Sequence, residues 1–296
     1  MKMNAIMPLS KWGALLFLIG IVLSSGHSEA QVTREQLYRK RFAYNSNSVV
    51  DISNKYGNVH LKTWDKDSVA FFASVRVTES TFSKADNKLK EIYFDFSKSG
   101  NFIVSSTVFQ NEKRNAFVSE LSKFKENIGI NDAAVEIEME VFVPVRSSVQ
   151  ITNNFGNVHV DDFDGDLKLD LSNGKLKANQ LLGYSNLKMS FADANIDYIE
   201  SGRLEVYYGK LYLANSPQLR ITSKTSDLDI TNVDRLVVTS SRDTYRIRSV
   251  SSFEAQASFS DFELSELKDR CSANLSFGDI KINRISNTYS MVSVDA

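Results

Sequence analysis

Beyond residue 30 the chain carries two histidines, His60 and His159. Any Ser-His-Asp or Cys-His nucleophile system in that part must recruit one of them. Each stands in the same short phrase, Tyr56-Gly57-Asn58-Val59-His60-Leu61 and Phe155-Gly156-Asn157-Val158-His159-Val160. If the two phrases stack, the imidazoles become neighbours one strand spacing apart, a candidate metal site or pH-sensitive pair. The plainer reading is a pair of solvated strand residues inherited from a duplicated unit. Carboxylates give a second candidate: Asp193, Asp227, Asp261 and Asp279 each follow a corresponding residue by two positions, and Asp261 and Asp279 fall on neighbouring units. Carboxylates about 5 Å apart serve retaining glycosidases, and oxygen clusters hold calcium. Asp is also favoured locally after a Gly or Ser turn. Cys271 is the single cysteine, so no intramolecular disulfide and no Cys-rich zinc site can form. The same column holds Val149, Leu167, Leu219, Leu236 and Phe253, so Cys271 reads as a buried small apolar residue. No phosphate-cradling Gly loop and no HExxH stretch occurs. No catalytic residue and no cofactor is therefore assigned; the metal candidates are His60, His159, Asp261 and Asp279.

The elements that place these residues follow from a repeat. With Phe155 as the first anchor, equivalent positions are Asn173, Phe191, Tyr208, Thr225, Arg242, Phe259 and Phe277, at steps of 17 or 18. The anchor degenerates at Asn173, Thr225 and Arg242, so neighbouring columns must carry the test. Three after the anchor stand Val158, Leu176, Ala194, Leu211, Leu228, Tyr245, Phe262 and Ile280. Five after and four before are equally apolar in every unit, while intervening columns are polar. Alternation with period two means strands with one face inward. Its recurrence every 17 or 18 residues puts like above like, as in a β-solenoid. The chain is read as all-β, a right-handed parallel β-helix of 17–18-residue coils. Eight coils at strand spacing make a rod roughly 40 Å long. A β-sandwich would not need eight units in fixed phase. The aromatic anchors read as a ladder packed at a coil corner, or as sugar-stacking platforms if exposed.

The Tyr56 phrase makes an opening coil at about 48–77, followed by an interruption. In the interruption, 80–91 and 113–128 carry helical stripes, 92–109 reads as two strands around Ser99-Gly100, and 135–143 alternates as a strand up to Pro144. This excursion caps the rod, because a bare end exposes unpaired strand edges. The expected division is 1–30 signal peptide, 31–77 N-terminal segment and first coil, 78–145 insertion or cap, and 146–296 solenoid. At the other end the phase is lost after Ile285. Residues 286–296 are expected to plug the rod or to mediate end-to-end self-association through 280–296.

Residues 1–30 read as an address. Lys2 and Lys11 precede an apolar run from Gly13 to Leu23, then small residues and Ser28-Glu29-Ala30, with cleavage expected after Ala30. About 11 apolar residues fall short of a spanning helix. Export to the periplasm or envelope is expected, with no membrane insertion after cleavage. The remainder has 33 basic and 35 acidic residues, so nothing points to nucleic acid. The full chain's 42% apolar content argues against disorder.

The paired segments Asn54-Lys55-Tyr56-Gly57-Asn58-Val59 and Asn153-Asn154-Phe155-Gly156-Asn157-Val158, with Val143-Pro144 before the second and the short coils after it, resemble the DUF4097-type adhesin family of Bacteroidetes over roughly 45–290. That resemblance implies a right-handed β-helix on an exported protein and brings no catalytic motif. The expected function is a non-enzymatic envelope scaffold binding a glycan or a protein. A β-helix polysaccharide lyase or glycoside hydrolase is the alternative, disfavoured by coils too short and uniform to wall a groove.

Overall fold

The structure is a computed structural model and describes residues 31–110 and 134–295. It is a β-solenoid in which every regular coil is hydrogen-bonded in parallel to the next. β2 (Val49–Lys55) and β3 (Asn58–Trp64) form the opening coil. β8 (Ser148–Asn154) and β9 (Val158–Val160) lie directly on them. Above run β10 (Asp166–Ser172), β11 (Lys175–Ser190), β12 (Asp193–Tyr207), β13 (Lys210–Lys224), β14 (Asp227–Ser241), β15 (Thr244–Ser258) and β16 (Asp261–Ser276).

The apolar columns of the sequence are the core. Ile151, Leu169, Leu187, Leu204, Ile221 and Val238 are buried one above another, as are Val160, Ala178, Ile196, Leu213, Ile230, Ile247 and Leu264. Each large member contributes about 1.5–3 kcal/mol by leaving water. Steps of 17 and 18 differ at the corner opposite the anchors. The register shifts between Leu181 and Tyr184, and again where Val250 and Ser252 meet the next coil. One residue is absorbed there without disturbing the inward columns.

The anchors have a backbone reason. Tyr56, Phe155, Asn173, Phe191, Tyr208, Thr225, Arg242, Phe259 and Phe277 all have φ between +52° and +60°, and they are the non-glycine residues of positive φ among those described. The coil turns its corner through a left-handed residue, including where the sequence motif fades. The next position then passes close over the coil below. A Cβ on Gly156 would come within 2.0 Å of the Gly57 carbonyl oxygen.

The first end is covered by strands as much as by helix. β6 (Phe102–Phe109) extends one face below β2, and β7 (Ala134–Pro144) extends the other below β3. β5 (Ile92–Ser99) pairs antiparallel with β6 around Gly100, whose φ is +56°. α1 (Phe82–Lys90) is capped by the Thr81 hydroxyl, which accepts from Lys84 N–H, and it buries Ala85 and Leu89. Two features differ from the sequence expectation. The opening coil stops at Trp64, and β4 (Ser68–Glu79) doubles back antiparallel to β7. β1 (Val32–Ala43), not foreseen as a strand, pairs along all of β4. Its side chains are almost all solvent-facing, so it lacks the alternation that marks a half-buried strand. The stripe at 113–128 and the signal segment at 1–30 lie outside the described residues.

The plug expected for the last residues is corrected. β17 (Ile280–Ile282) continues the coil, and after three extra residues the chain resumes it as β18 (Met291–Asp295), parallel to β16. Val292 pairs with Cys271 and Val294 with Ala273, both in inward columns. The sequence phase fails there because the insertion sits between two strands that both remain in the stack.

Candidate functional sites

Four groupings carry the chemistry of the described residues. The first is the anchor corner. Phe191 and Tyr208 stack at 4.9 Å, Phe259 and Phe277 at 5.1 Å, and Tyr56 and Phe155 at 5.2 Å. They form a ladder at a corner, yet Phe191, Phe259 and Phe277 are more than half exposed. Within each pair the rings lie nearly parallel and cover one face of each other, and Asn173, Thr225 and Arg242 interrupt the ladder between pairs. Self-stacking leaves each ring at most one face for a sugar, so the ladder suits corner packing better than glycan recognition.

The second is the acidic column, where neighbouring coils claim the side chains. Asp261 Oδ1 accepts from Asp279 N–H at 3.2 Å, and Asp193 Oδ1 accepts from Lys210 N–H at 3.1 Å. Asn157 Oδ1 accepts from Lys175 N–H at 3.0 Å in the same column. These side chains satisfy a backbone donor two residues past the next anchor, so the Asp261 carboxylate is engaged by the backbone of Asp279 and not by its carboxylate. The one charged side chain buried among the described residues, Asp243, is also fully occupied. Its carboxylate accepts from the hydroxyls of Ser223 (2.7 Å) and Ser240 (2.6 Å) and from N–H of Ser226 (2.8 Å) and Ser241 (3.0 Å). Such a set neutralises the cost of burial without a cation. Cys271 is fully buried and burial pushes its thiol up to about 11, as expected of an inert core residue.

The third grouping is the histidine pair. β3 and β9 set His60 opposite His159, 99 positions away in the chain, with ring centroids 4.3 Å apart and planes 5° from parallel. Asp161, which the sequence reading did not single out, completes the cluster: its Oδ1 is 2.8 Å from His60 Nε2 and 3.5 Å from His159 Nε2. His159 is held below the usual imidazole range, chiefly by burial and then by the His60 charge. Sequence spacing hid Asp161 because its column holds Lys62 in the earlier phrase.

The fourth was also missed. A depression of about 250 Å³ is lined by Tyr184, Ser201, Gln218 and three arginines, Arg203, Arg220 and Arg235. Arg203 and Arg220 are register partners on β12 and β13. Arg203 reaches Glu205 only at 3.9 Å, and Arg220 and Arg235 make no ion pair with a described residue. In sequence these arginines are scattered through a chain of near-zero net charge; only the stacking gathers them.

No family model matches the sequence, and no curated protein is similar to it. Similar solved structures have TM-scores below 0.5. One is described as a "putative lipid binding protein" from Parabacteroides distasonis: 11% identity, TM-score 0.40, covering 90% of this chain and 97% of that one. A "putative adhesin" from Parabacteroides merdae has 8% identity and TM-score 0.40, with coverage of 88% and 95%. Another from Bacteroides fragilis has 15% identity and TM-score 0.39, with coverage of 83% and 97%.

Proposed function

We propose that this chain is a non-enzymatic binding rod of the DUF4097-type adhesin kind, exported to the cell envelope, and that its ligand is an acidic glycan. The supporting observation is the depression bearing Arg203, Arg220 and Arg235 beside the half-exposed ring of Tyr184. Guanidinium groups offer forked donors that match carboxylate and sulfate oxygens, and an unpaired guanidinium keeps its donors free for a ligand. Tyr184 supplies the apolar edge against which a sugar ring lies. The non-enzymatic reading is supported by the outward acids that are already engaged: Asp193 and Asp261 accept from backbone N–H groups, and Asp229 pairs with Arg246. Export rests on the order of residues 1–30, and no described helix is long and apolar enough to cross a membrane. End-to-end self-association is part of the same proposal, since Ile285, Val292 and Val294 on the last coil are 38–42% exposed. Light scattering across a concentration series tests that contact.

The binding test is retention on immobilised uronate-containing, sulfated and neutral polysaccharides. Retention is expected on the acidic supports, weakening with salt, and lost in the Arg220→Gln Arg235→Gln double variant. Equal retention on neutral supports, or none on any, overturns the glycan assignment. New reducing ends or unsaturated products overturn the non-enzymatic one.

A further inference from the structure

We infer that His60, His159 and Asp161 form a divalent transition-metal site that clamps the opening coil onto the regular rod. The three side chains present one ligand atom each, all within 4.8 Å of one another. Two imidazoles and one carboxylate, with water in the remaining position, is a donor set suited to zinc. Bonds of ~2.0–2.1 Å place tetrahedral ligand atoms ~3.3 Å apart. The observed contacts of Asp161 Oδ1, 2.8 Å to His60 Nε2 and 3.5 Å to His159 Nε2, bracket that separation. The stacked rings aim their Nε2 atoms side by side, so each must swing modestly to converge on one ion. All three side chains are about a third exposed, which leaves room for the swing and a path for entry.

Two observations separate this cluster from a duplicated phrase. His159 Nε2 is buried and has no hydrogen-bond partner. A buried nitrogen without a partner costs free energy that ligation would offset. Asp161, moreover, is not part of the duplication. The equivalent position in the opening coil is Lys62, so the third ligand arises once, where the two histidines meet. The surroundings temper the affinity without removing it. Lys177 is the register neighbour of His159 on the far side. Lys62 is neutralised by Glu140 at 2.7 Å.

The site joins residues 99 positions apart, at the seam where the segment bearing the cap returns to the rod. A metal bound only by the folded chain stabilises that seam by mass action. The chain has 3 histidines in all, His27 being the third, which makes the test clean on a tag without histidine. Chelator-stripped protein is titrated with zinc chloride, followed by calorimetry, thermal unfolding and imidazole ¹⁵N resonances. One zinc per chain is expected, with a higher Tm and perturbed resonances of both His60 and His159. His60→Gln, His159→Gln and Asp161→Asn each weaken binding by about 100-fold or more and abolish the Tm rise, whereas Lys62→Gln retains both. Unmoved imidazole resonances in the wild-type protein, or equal zinc affinity in the variants, overturn the site. The resonances report on the wild-type chain alone, so a variant that fails to fold leaves the test intact.

Discussion

Asn54 and Asn153, 99 positions apart, share a buried hydrogen bond: Asn54 Nδ2 donates to Asn153 Oδ1 at 2.8 Å. The same amide donates to the Gly57 carbonyl at 2.8 Å, and Asn54 Oδ1 accepts from the Thr107 hydroxyl. One side chain thus ties three layers together: the cap strand β6, the opening coil and the first coil of the rod. Asn54→Ala leaves the Gly57 carbonyl and Asn153 Oδ1 without their donor. A loss of about 2–3 kcal/mol is expected, measured by urea denaturation. Because both residues belong to one bond, the Asn54→Ala Asn153→Ala double variant should lose less than the sum of the singles. Strict additivity would count against the shared bond.

Ile196 and Leu213 are fully buried and stacked, while Asn195 faces outward. A carboxylate at either apolar position has no partner and costs several kcal/mol. Ile196→Asp and Leu213→Asp should unfold far below the wild-type Tm or fail to accumulate, and Asn195→Asp should melt close to it. Equal melting of the three would contradict the inward-outward phase.

Thr225 holds φ at +53° although its β-carbon is branched. That conformation costs roughly 1–2 kcal/mol for an L-residue, and asparagine tolerates it best after glycine. Thr225 is exposed, so little packing is lost on replacement. Thr225→Asn is expected to raise stability by about 1 kcal/mol, read as a higher denaturation midpoint at unchanged slope. A lower midpoint would mean that the corner is held by the threonine side chain and not by the backbone.

Cys271 combines complete burial with a thiol pushed up to about 11. Ellman's reagent at pH 8 should leave the native protein unlabelled and modify one thiol per chain in denaturant. Rapid labelling of the native state would place Cys271 at a surface.

The repeat was legible because three inward columns are apolar in every coil, and they located Asn173, Thr225 and Arg242 as anchors although none is aromatic. Their shared left-handed backbone explains why aromatic identity was dispensable. Other features arise only when coils are superposed. Arg203, Arg220 and Arg235 each lie about one coil from the next, and Asp161 gains its meaning from a histidine 101 positions earlier. β1 escaped notice because nothing about its side chains alternates. The corner aspartates looked like turn residues or acids for catalysis. The use of Asp193 and Asp261, receiving a backbone N–H from the next coil, is a property of the stack.

The distance between β3 and β9 along the chain also sets an order of assembly. Each regular coil closes a loop of 17 or 18 residues onto its predecessor, whereas the opening coil must find a partner 99 residues downstream. By chain-closure entropy alone the longer search costs about 1.6 kcal/mol more. Contacts of short sequence separation also form faster. The uniform coils are therefore expected to zip together first, presenting β8 and β9 as a ready-made edge on which the N-terminal segment, although it is synthesised earlier, docks last.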